Sequence, residues 1–75
     1  MMTELTPVVL KRDLLESGLR VGDVGTIVYV LAGGTYEVEF VTGDGDTVAV
    51  ATLSDSDVRP LAAREILHAR ALPNG

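Results

Sequence analysis

The stretch TIVYVLAGGTYEVEFV, residues 26–41, carries the strongest fold signal in the chain. Over residues 35–41 every second residue is apolar, and this set consists of Tyr36, Val38 and Phe40. Glu37 and Glu39 lie between them, an alternation typical of a strand with one buried face. The glycine pair at 33–34 favours a tight hairpin turn, because glycine tolerates positive φ angles. The stretch therefore predicts two antiparallel strands joined by a short turn.

Further strands are predicted on both sides of this hairpin. Short apolar or β-branched runs predict them in the first half of 7–15, at 47–53 and at 58–61. The segments 42–46 and 54–57 are rich in Gly, Asp and Ser and predict turns. Gly25, at the start of the 26–31 strand, indicates a bulge or a close approach of two backbones.

Residues 19–28, LRVGDVGTIV, resemble the loop-and-strand motif of KOW and related SH3-like domains. The order of elements is also that of an SH3-like barrel: a short strand, a long loop, three meandering strands, a turn and a last short strand. This resemblance implies an all-β fold, a small five-stranded SH3-like barrel over residues 1–61.

The remaining residues, 62–75, are expected to form a C-terminal tail that packs on the barrel or on a partner. Its conformation stays open between two alternatives. The stretch AARE at 62–65 favours a helix by propensity, whereas residues 66–72 alternate like a strand.

A closer resemblance covers most of the chain. The segments that carry it are VVL at 8–10, GL at 18–19, GDVGTIV at 22–28, YEVEF at 36–40, VRPL at 58–61 and EILH at 65–68. They are similar to a family of small stand-alone bacterial proteins, known mainly as a domain of unknown function. The resemblance implies the same fold and a bacterial, cytoplasmic origin, and it brings no active site with it.

Composition excludes several classes of function. The chain has 75 residues, no cysteine, one histidine and a formal net charge of −5. Disulfides and thiolate metal sites are therefore excluded, and one imidazole cannot build a histidine metal site. An acidic surface repels phosphate, which disfavours nucleic-acid binding. No apolar stretch approaches the roughly 20 residues of a membrane helix, and the N-terminus lacks signal-peptide features, so a cytoplasmic location is expected.

The acidic residues do not form a convincing catalytic or metal site. Asp44 and Asp46 resemble the start of a calcium loop, but no later ligand follows at the right spacing, and a turn explains them. Glu37 and Glu39 fit the solvated face of a strand better than a pair of catalytic carboxylates. His68 has no predicted partner. We therefore predict no catalytic, cofactor-binding or metal-binding residue, and the chain is not expected to be an enzyme.

Two of the predicted strands indicate a binding partner. The strands at 26–31 and 47–53 carry apolar residues on both faces, although a half-exposed strand should alternate. A small barrel has one interior, so the outer apolar residues need a cover from the tail, a second copy or another protein. The predicted interface consists of Val28, Tyr29, Val30, Ala49, Ala51, Leu67 and Leu72.

The leading hypothesis is a non-catalytic protein-interaction module. Such a module could serve as the small antitoxin-like or immunity-like partner of a larger bacterial protein. One alternative is a KOW-like nucleic-acid-associated module, which depends on residues 22–28. The other is a homo-oligomeric structural protein. The sequence leaves the partner and the oligomeric state open.

Overall fold

The computed structural model describes residues 2–73 as one antiparallel five-stranded sheet with almost no helix. The strands are β1 (Pro7–Leu10), β2 (Val24–Leu31), β3 (Thr35–Val41), β4 (Thr47–Ser54) and β5 (Val58–Pro60). The one helical element in this part of the chain is a turn of 3₁₀ helix, Leu15–Ser17, in the β1–β2 loop. The prediction of an all-β fold with five strands is confirmed. Residue 1 of the predicted barrel and residues 74–75 of the predicted tail lie outside the described residues.

The β2–β3 hairpin turns on two glycines. Gly33 has a φ of 77° and Gly34 a φ of 74°, in the left-handed region that residues with a Cβ rarely adopt. The turn predicted at this position is confirmed. It sets Leu31 opposite Thr35 and so fixes the register in which β2 and β3 begin to pair.

Gly25, in β2, lies in close contact with β3. A Cβ at this position would lie 2.7 Å from Val38 Cγ1, 2.8 Å from Phe40 Cε2 and 2.9 Å from the carbonyl oxygen of Glu39. The space is therefore filled by the neighbouring strand, and only glycine fits. The close backbone approach predicted for Gly25 is confirmed.

Two bulges change which side chains face the core. The register of β2 against β3 shifts after Ile27, and the register of β3 against β4 shifts after Phe40. Val28 and Val48 are the extra residues at these shifts, so the two-residue alternation restarts behind each of them. A strand pattern counted along the sequence therefore assigns the wrong face to residues beyond the bulge.

Three residues that we expected on the outer surface lie on the inner side of the sheet. Val30 packs against the core, because the bulge at Val28 reverses the faces of β2. Ala49 and Ala51 also pack against the core, as partners of buried residues of β3 in the β3–β4 ladder. The outward placement of these three side chains was wrong.

The core lies on this inner side. Its buried apolar side chains are Val8, Leu10, Leu19, Ile27, Tyr36, Val38, Phe40, Leu53 and Val58. The predicted inner set of β3 is confirmed, since all three of its members are buried. The Tyr36 hydroxyl donates a 2.7 Å hydrogen bond to the carboxylate of Asp55. This hydrogen bond, together with burial, raises the pKa of Tyr36.

The sheet has two edges that differ in kind. The strand order is β4-β3-β2-β1-β5, and within residues 2–73 no ladder joins β4 to β5. The β5 edge is three residues long and contains Arg59 and Pro60, whereas β4 has eight residues without a charge or a proline. Short length, charge and proline protect an edge from pairing with another chain. The sheet is therefore open, with one protected and one unprotected edge.

The tail adopts neither of the conformations considered from the sequence. Residues 62–73 contain no helix and no strand, and only residues 63–64 and 73 lie in turns. Two ion pairs fix the segment to the rest of the fold, Arg59 with Glu65 and Arg70 with Asp23. These side-chain contacts thus determine the conformation of the tail more than its propensity for helix or strand does.

Candidate functional site

The outer side of the β2–β3–β4 sheet forms a surface that we call the acidic face, defined by Tyr29, Glu37, Glu39, Val50 and Thr52. Tyr29 pairs with Glu37 across β2 and β3, and Glu37 pairs with Thr52 across β3 and β4. Glu39 pairs with Val50 in the next outward row. Tyr29 is 56% exposed and Val50 is 52% exposed. The acidic face thus combines two carboxylates with an exposed aromatic and an exposed aliphatic side chain.

Threonines hold the two carboxylates in place. The Thr52 hydroxyl donates to Glu37 Oε1 at 2.6 Å, and the Thr47 hydroxyl donates to Glu39 Oε2 at 2.6 Å. Within residues 2–73, neither glutamate takes part in an ion pair. The threonines orient the carboxylates without neutralising them, so the face keeps its negative charge.

Charge is divided unevenly along the chain. All six Lys and Arg residues lie before residue 21 or after residue 58. Residues 21–58 instead contain seven acidic residues, which are Asp23, Glu37, Glu39, Asp44, Asp46, Asp55 and Asp57. This range includes the whole of β2, β3 and β4. Within these strands the acidic residues are Glu37 and Glu39 of β3, so a cationic partner would be attracted to the acidic face.

A groove lies at one end of the sheet, beneath the tail. It has a volume of about 650 Å³ and runs between residues 67–72 of the tail and the sheet residues Phe40, Val41 and Val48. Leu67 and Leu72 belong to its rim, and Leu67 is itself largely exposed. The tail therefore lies over the end of the core and leaves the acidic face uncovered.

Arg70 attaches the tail to the β1–β2 loop. Its Nε donates to Asp23 Oδ1 at 2.9 Å and its Nη2 donates to Asp23 Oδ2 at 2.6 Å, with a further bond to the Gly18 carbonyl at 2.9 Å. The hydrogen bonds from Arg70 lower the pKa of Asp23, and the same contact raises the pKa of Arg70. This two-point pairing is the geometry in which an arginine–carboxylate contact is strongest.

A family model described as Domain of unknown function (DUF4926) matches residues 4–60. The chain belongs to the DUF4926 family. The comparison with curated proteins gave no match, and the comparison with solved structures gave none. The DUF4926 match spans all five strands and ends at the last residue of β5, so the acidic face lies within the family domain and the tail lies beyond it.

The predicted interface residues fall into three places in the DUF4926 structure. Val28 and Tyr29 are exposed on the outer side of β2. Leu67 and Leu72 lie on the tail groove. The remaining three, Val30, Ala49 and Ala51, pack against the core from the inner side. The structure therefore brings together only the β2 pair of the predicted set on one free surface.

Sequence reasoning missed the centre of the acidic face. Val50 is not among the predicted interface residues, and Glu37 and Glu39 were interpreted only as solvated residues. The absence of Lys and Arg from residues 21–58 could have indicated this surface, because it leaves Glu37 and Glu39 of β3 without a basic residue on β2, β3 or β4 of the DUF4926 domain.

The described residues form neither a metal-binding cluster nor a membrane-spanning helix. No group of three or more His, Cys, Asp or Glu side chains in residues 2–73 is arranged to hold a metal ion. In the same part of the chain, no helix has the length and apolarity needed to cross a membrane. His68 lies on the tail groove, and Asp44 and Asp46 lie exposed in the β3–β4 turn.

Acidification is expected to release the tail. The Arg59 guanidinium and the Ala62 N–H lower the pKa of Glu65 from 4.5 to about 2. Arg70 lowers the pKa of Asp23 in the same direction. Because both carboxylates bind a proton more readily when the tail is free, attachment is complete above about pH 4.5 and weakens as the pH falls, and the Glu65 contact is lost as the pH passes through about 2.

Backbone amide relaxation by NMR measures this release directly. Between pH 6 and pH 2, the order parameters of residues 62–73 should fall while those of β3 stay constant. A Glu65→Gln variant is the control, since its contact with Arg59 no longer titrates and its tail should be looser already at pH 6. Order parameters that remain constant down to pH 2, or that fall as the pH rises, would contradict the prediction.

Proposed function

We propose that the chain is a non-catalytic protein-interaction module whose acidic face binds a basic surface of a protein partner. One observation carries the proposal: Glu37 and Glu39 are fixed by threonines, lack cationic partners within residues 2–73, and lie beside an exposed tyrosine. A charged rim around an exposed aromatic is the arrangement found in specific protein interfaces.

Tyr29 is the best candidate for the central contact. It is exposed by more than half, and it lies opposite Glu37 with Val28 beside it in the bulge. Tyrosine is enriched among the residues that contribute most to binding, because it buries a large rigid ring and keeps a polar hydroxyl. An arginine or lysine of the partner could stack on this ring and contact the neighbouring carboxylate.

The charge distribution favours a protein over a nucleic acid. Phosphate groups would be repelled by the acidic face, and nucleic-acid binders place their basic residues along one surface. Here three of the six basic side chains, Arg12, Arg59 and Arg70, are engaged in ion pairs with carboxylates. The KOW-like nucleic-acid alternative therefore receives less support than the protein-binding one.

The same chemistry suits an inhibitor of a larger protein. A small acidic domain that covers a basic surface could act as the antitoxin-like or immunity-like partner inferred from the sequence. We expect such a pair to meet in the bacterial cytoplasm, the location predicted from the sequence. The alternative of a homo-oligomeric structural protein predicts a dimer or larger species by light scattering, whereas the proposed module is a monomer without its partner.

The fold proposal that accompanies this function is a relative of the SH3-like barrel. It is supported by the strand order β4-β3-β2-β1-β5, in which β1 lies between β2 and β5. The long loop between β1 and β2 and the short turn at 55–57 before β5 follow the same order of elements. The proposed relation is to the SH3-like order of strands, in a sheet that here stays open between β4 and β5.

A charge-reversal pair tests the function. Glu39→Lys is expected to abolish capture of a stoichiometric partner from the native host lysate, because it places a cation in the centre of the acidic face. Glu4→Lys is the matched control, since it changes the net charge equally at an exposed position outside β2–β4. Each variant is first checked by thermal melting.

Two results would count against the function. The first is that the unmodified chain captures no partner at one-to-one stoichiometry. The second is that Glu39→Lys and Glu4→Lys reduce capture equally, which would mean that the partner responds to net charge alone.

A further inference from the structure

The unprotected edge of the sheet suggests how the partner is held. Outside its ladder with β3, the backbone of residues 49–54 makes hydrogen bonds, within the described chain, only at Ser54. There the Ser54 carbonyl accepts from the Asp57 N–H at 2.9 Å, and the Ser54 N–H donates to the Asp57 carboxylate at 2.9 Å. About half of the N–H and C=O groups of an edge strand point away from its neighbour. The edge therefore offers a row of backbone donors and acceptors to another strand.

The available row is regular and of useful length. Beyond the bulge at Val48, residues 49–54 follow β3 without any shift of register. Six residues are enough for an extended peptide to add to a sheet and form a ladder of main-chain hydrogen bonds. The opposite edge cannot accept an added strand in this way, because β5 is short and contains Pro60. In addition, Glu65 binds the Arg59 side chain of β5 at two points.

Both faces of β4 offer contacts to an added strand. On the inner side, a cleft of about 480 Å³ separates Ala51 and Leu53 from the β1–β2 loop. Leu14 and Leu15 form its apolar wall on the loop side, and the polar residues that also line it are Arg12, Asp13, Glu16, Ser17 and Thr52. Alternate apolar side chains of the added strand would enter this cleft. On the outer side, Val50 is exposed and belongs to the acidic face.

The acidic residues near β4 determine which outward side chains an added strand should carry. Glu39 pairs with Val50, so it lies one strand further in, roughly 10 Å from a strand added at β4. A lysine or arginine can cover Val50 with its aliphatic stem and extend its charged head toward Glu39. Asp44 and Asp46 precede β4 and Asp55 follows it, so basic residues would also be favoured at both ends of the added strand.

We propose that β4 binds its partner by strand addition, taking an extended segment in which Lys or Arg alternates with apolar residues. This inference rests on the proposed function and names the partner's binding segment. A second copy of the chain fits less well, because joining two β4 edges would unite two acidic faces of the same sign into one surface.

Short peptides test strand addition. The probe is a capped peptide in which valine alternates with lysine over seven residues, and the control is the same peptide with its central amides N-methylated. We expect the unmethylated peptide to bind at low salt, to slow amide exchange in residues 49–54, and to bind about tenfold or more tightly than its control. Calorimetry and NMR amide exchange supply the two readouts.

A pair of leucines tests the inner cleft. Leu15→Ser is expected to weaken binding of the unmethylated peptide about tenfold, because it removes an apolar wall of the cleft. Leu5→Ser is the matched control and should leave binding unchanged, since Leu5 is 78% exposed where Leu15 is 81% exposed, and it lies outside the cleft. Equal effects of the two substitutions would remove the cleft from the binding site.

The outcomes separate this inference from the function on which it rests. Equal binding of the methylated and unmethylated peptides would overturn strand addition and leave binding through the acidic face standing. Failure of both peptides to bind would also overturn strand addition, and the Glu39→Lys capture experiment would then decide the function by itself. A dimer whose β4 amides are protected without any peptide would identify a second copy as the occupant and overturn the proposal.

Discussion

Ile27→Ala is expected to lower the free energy of unfolding by about 4 kcal/mol, the upper part of the range for truncating a buried isoleucine. Ile27 is 0% exposed and belongs to the core cluster, and it lies at the last regular position of β2 before the bulge. The backbone on both sides is held by the β2–β3 ladder, so the cavity cannot close by a small shift of the strand. A domain of this size has a total stability of roughly 4–11 kcal/mol, so the variant should be largely unfolded or close to it.

Ile66→Ala is the matched control for this truncation. Ile66 is 95% exposed in the tail, so the same change of side chain removes no buried contact, and the free energy of unfolding should stay within about 0.5 kcal/mol. Urea unfolding followed by circular dichroism measures both variants. Similar midpoints for Ile27→Ala and Ile66→Ala would show that the inner side of the sheet is not the core.

Gly25→Ala is expected to lower the free energy of unfolding by about 3 kcal/mol and the melting temperature by roughly 12–24 °C. The added methyl group would lie within 3 Å of two β3 side chains and of a backbone carbonyl oxygen. A side chain can turn away from such a contact, but the carbonyl of Glu39 is fixed by the sheet. The strands would therefore have to move apart at the point where β1, β2 and β3 meet the core.

Gly43→Ala provides the control for the alanine substitution itself. No atom lies within 4 Å of a Cβ built at Gly43, which has no positive φ, so the variant should be neutral or slightly more stable. Thermal melts of the two variants separate the steric effect from the change in backbone freedom. If both substitutions changed the melting temperature equally, the close approach of β2 and β3 at Gly25 would be excluded.

The strands and turns could be predicted because their signals are local. The alternation around Tyr36 and Phe40 identifies the inner side of β3 within seven residues, and the glycines at 33–34 identify the turn before it. Val30 was assigned to the wrong face because the bulge at Val28 inserts one extra residue into β2 relative to β3. The alternation counted along the sequence is therefore reversed beyond it. Nothing in the side chains near Val28 shows where the extra residue is inserted.

Some surface features could also be predicted from the sequence, whereas others depend on contacts between distant residues. The absence of basic residues from 21–58 can be seen in the sequence, although the register is needed to place Glu37 and Glu39 on one surface with Tyr29 and Val50. The contact between Arg70 and Asp23 joins residues 47 positions apart. No local pattern predicts it, because it depends on the path of a tail that has no regular structure.

The difference between the two sheet edges limits how far this molecule can assemble. A chain whose sheet has two unprotected edges can pair with further copies at both edges and grow into a fibril. Here the ion pair and the proline at β5 terminate growth on one side, so only β4 can extend the sheet. Copies of this chain can consequently pair edge to edge only as a closed dimer through β4, and they cannot form a filament by this pairing alone.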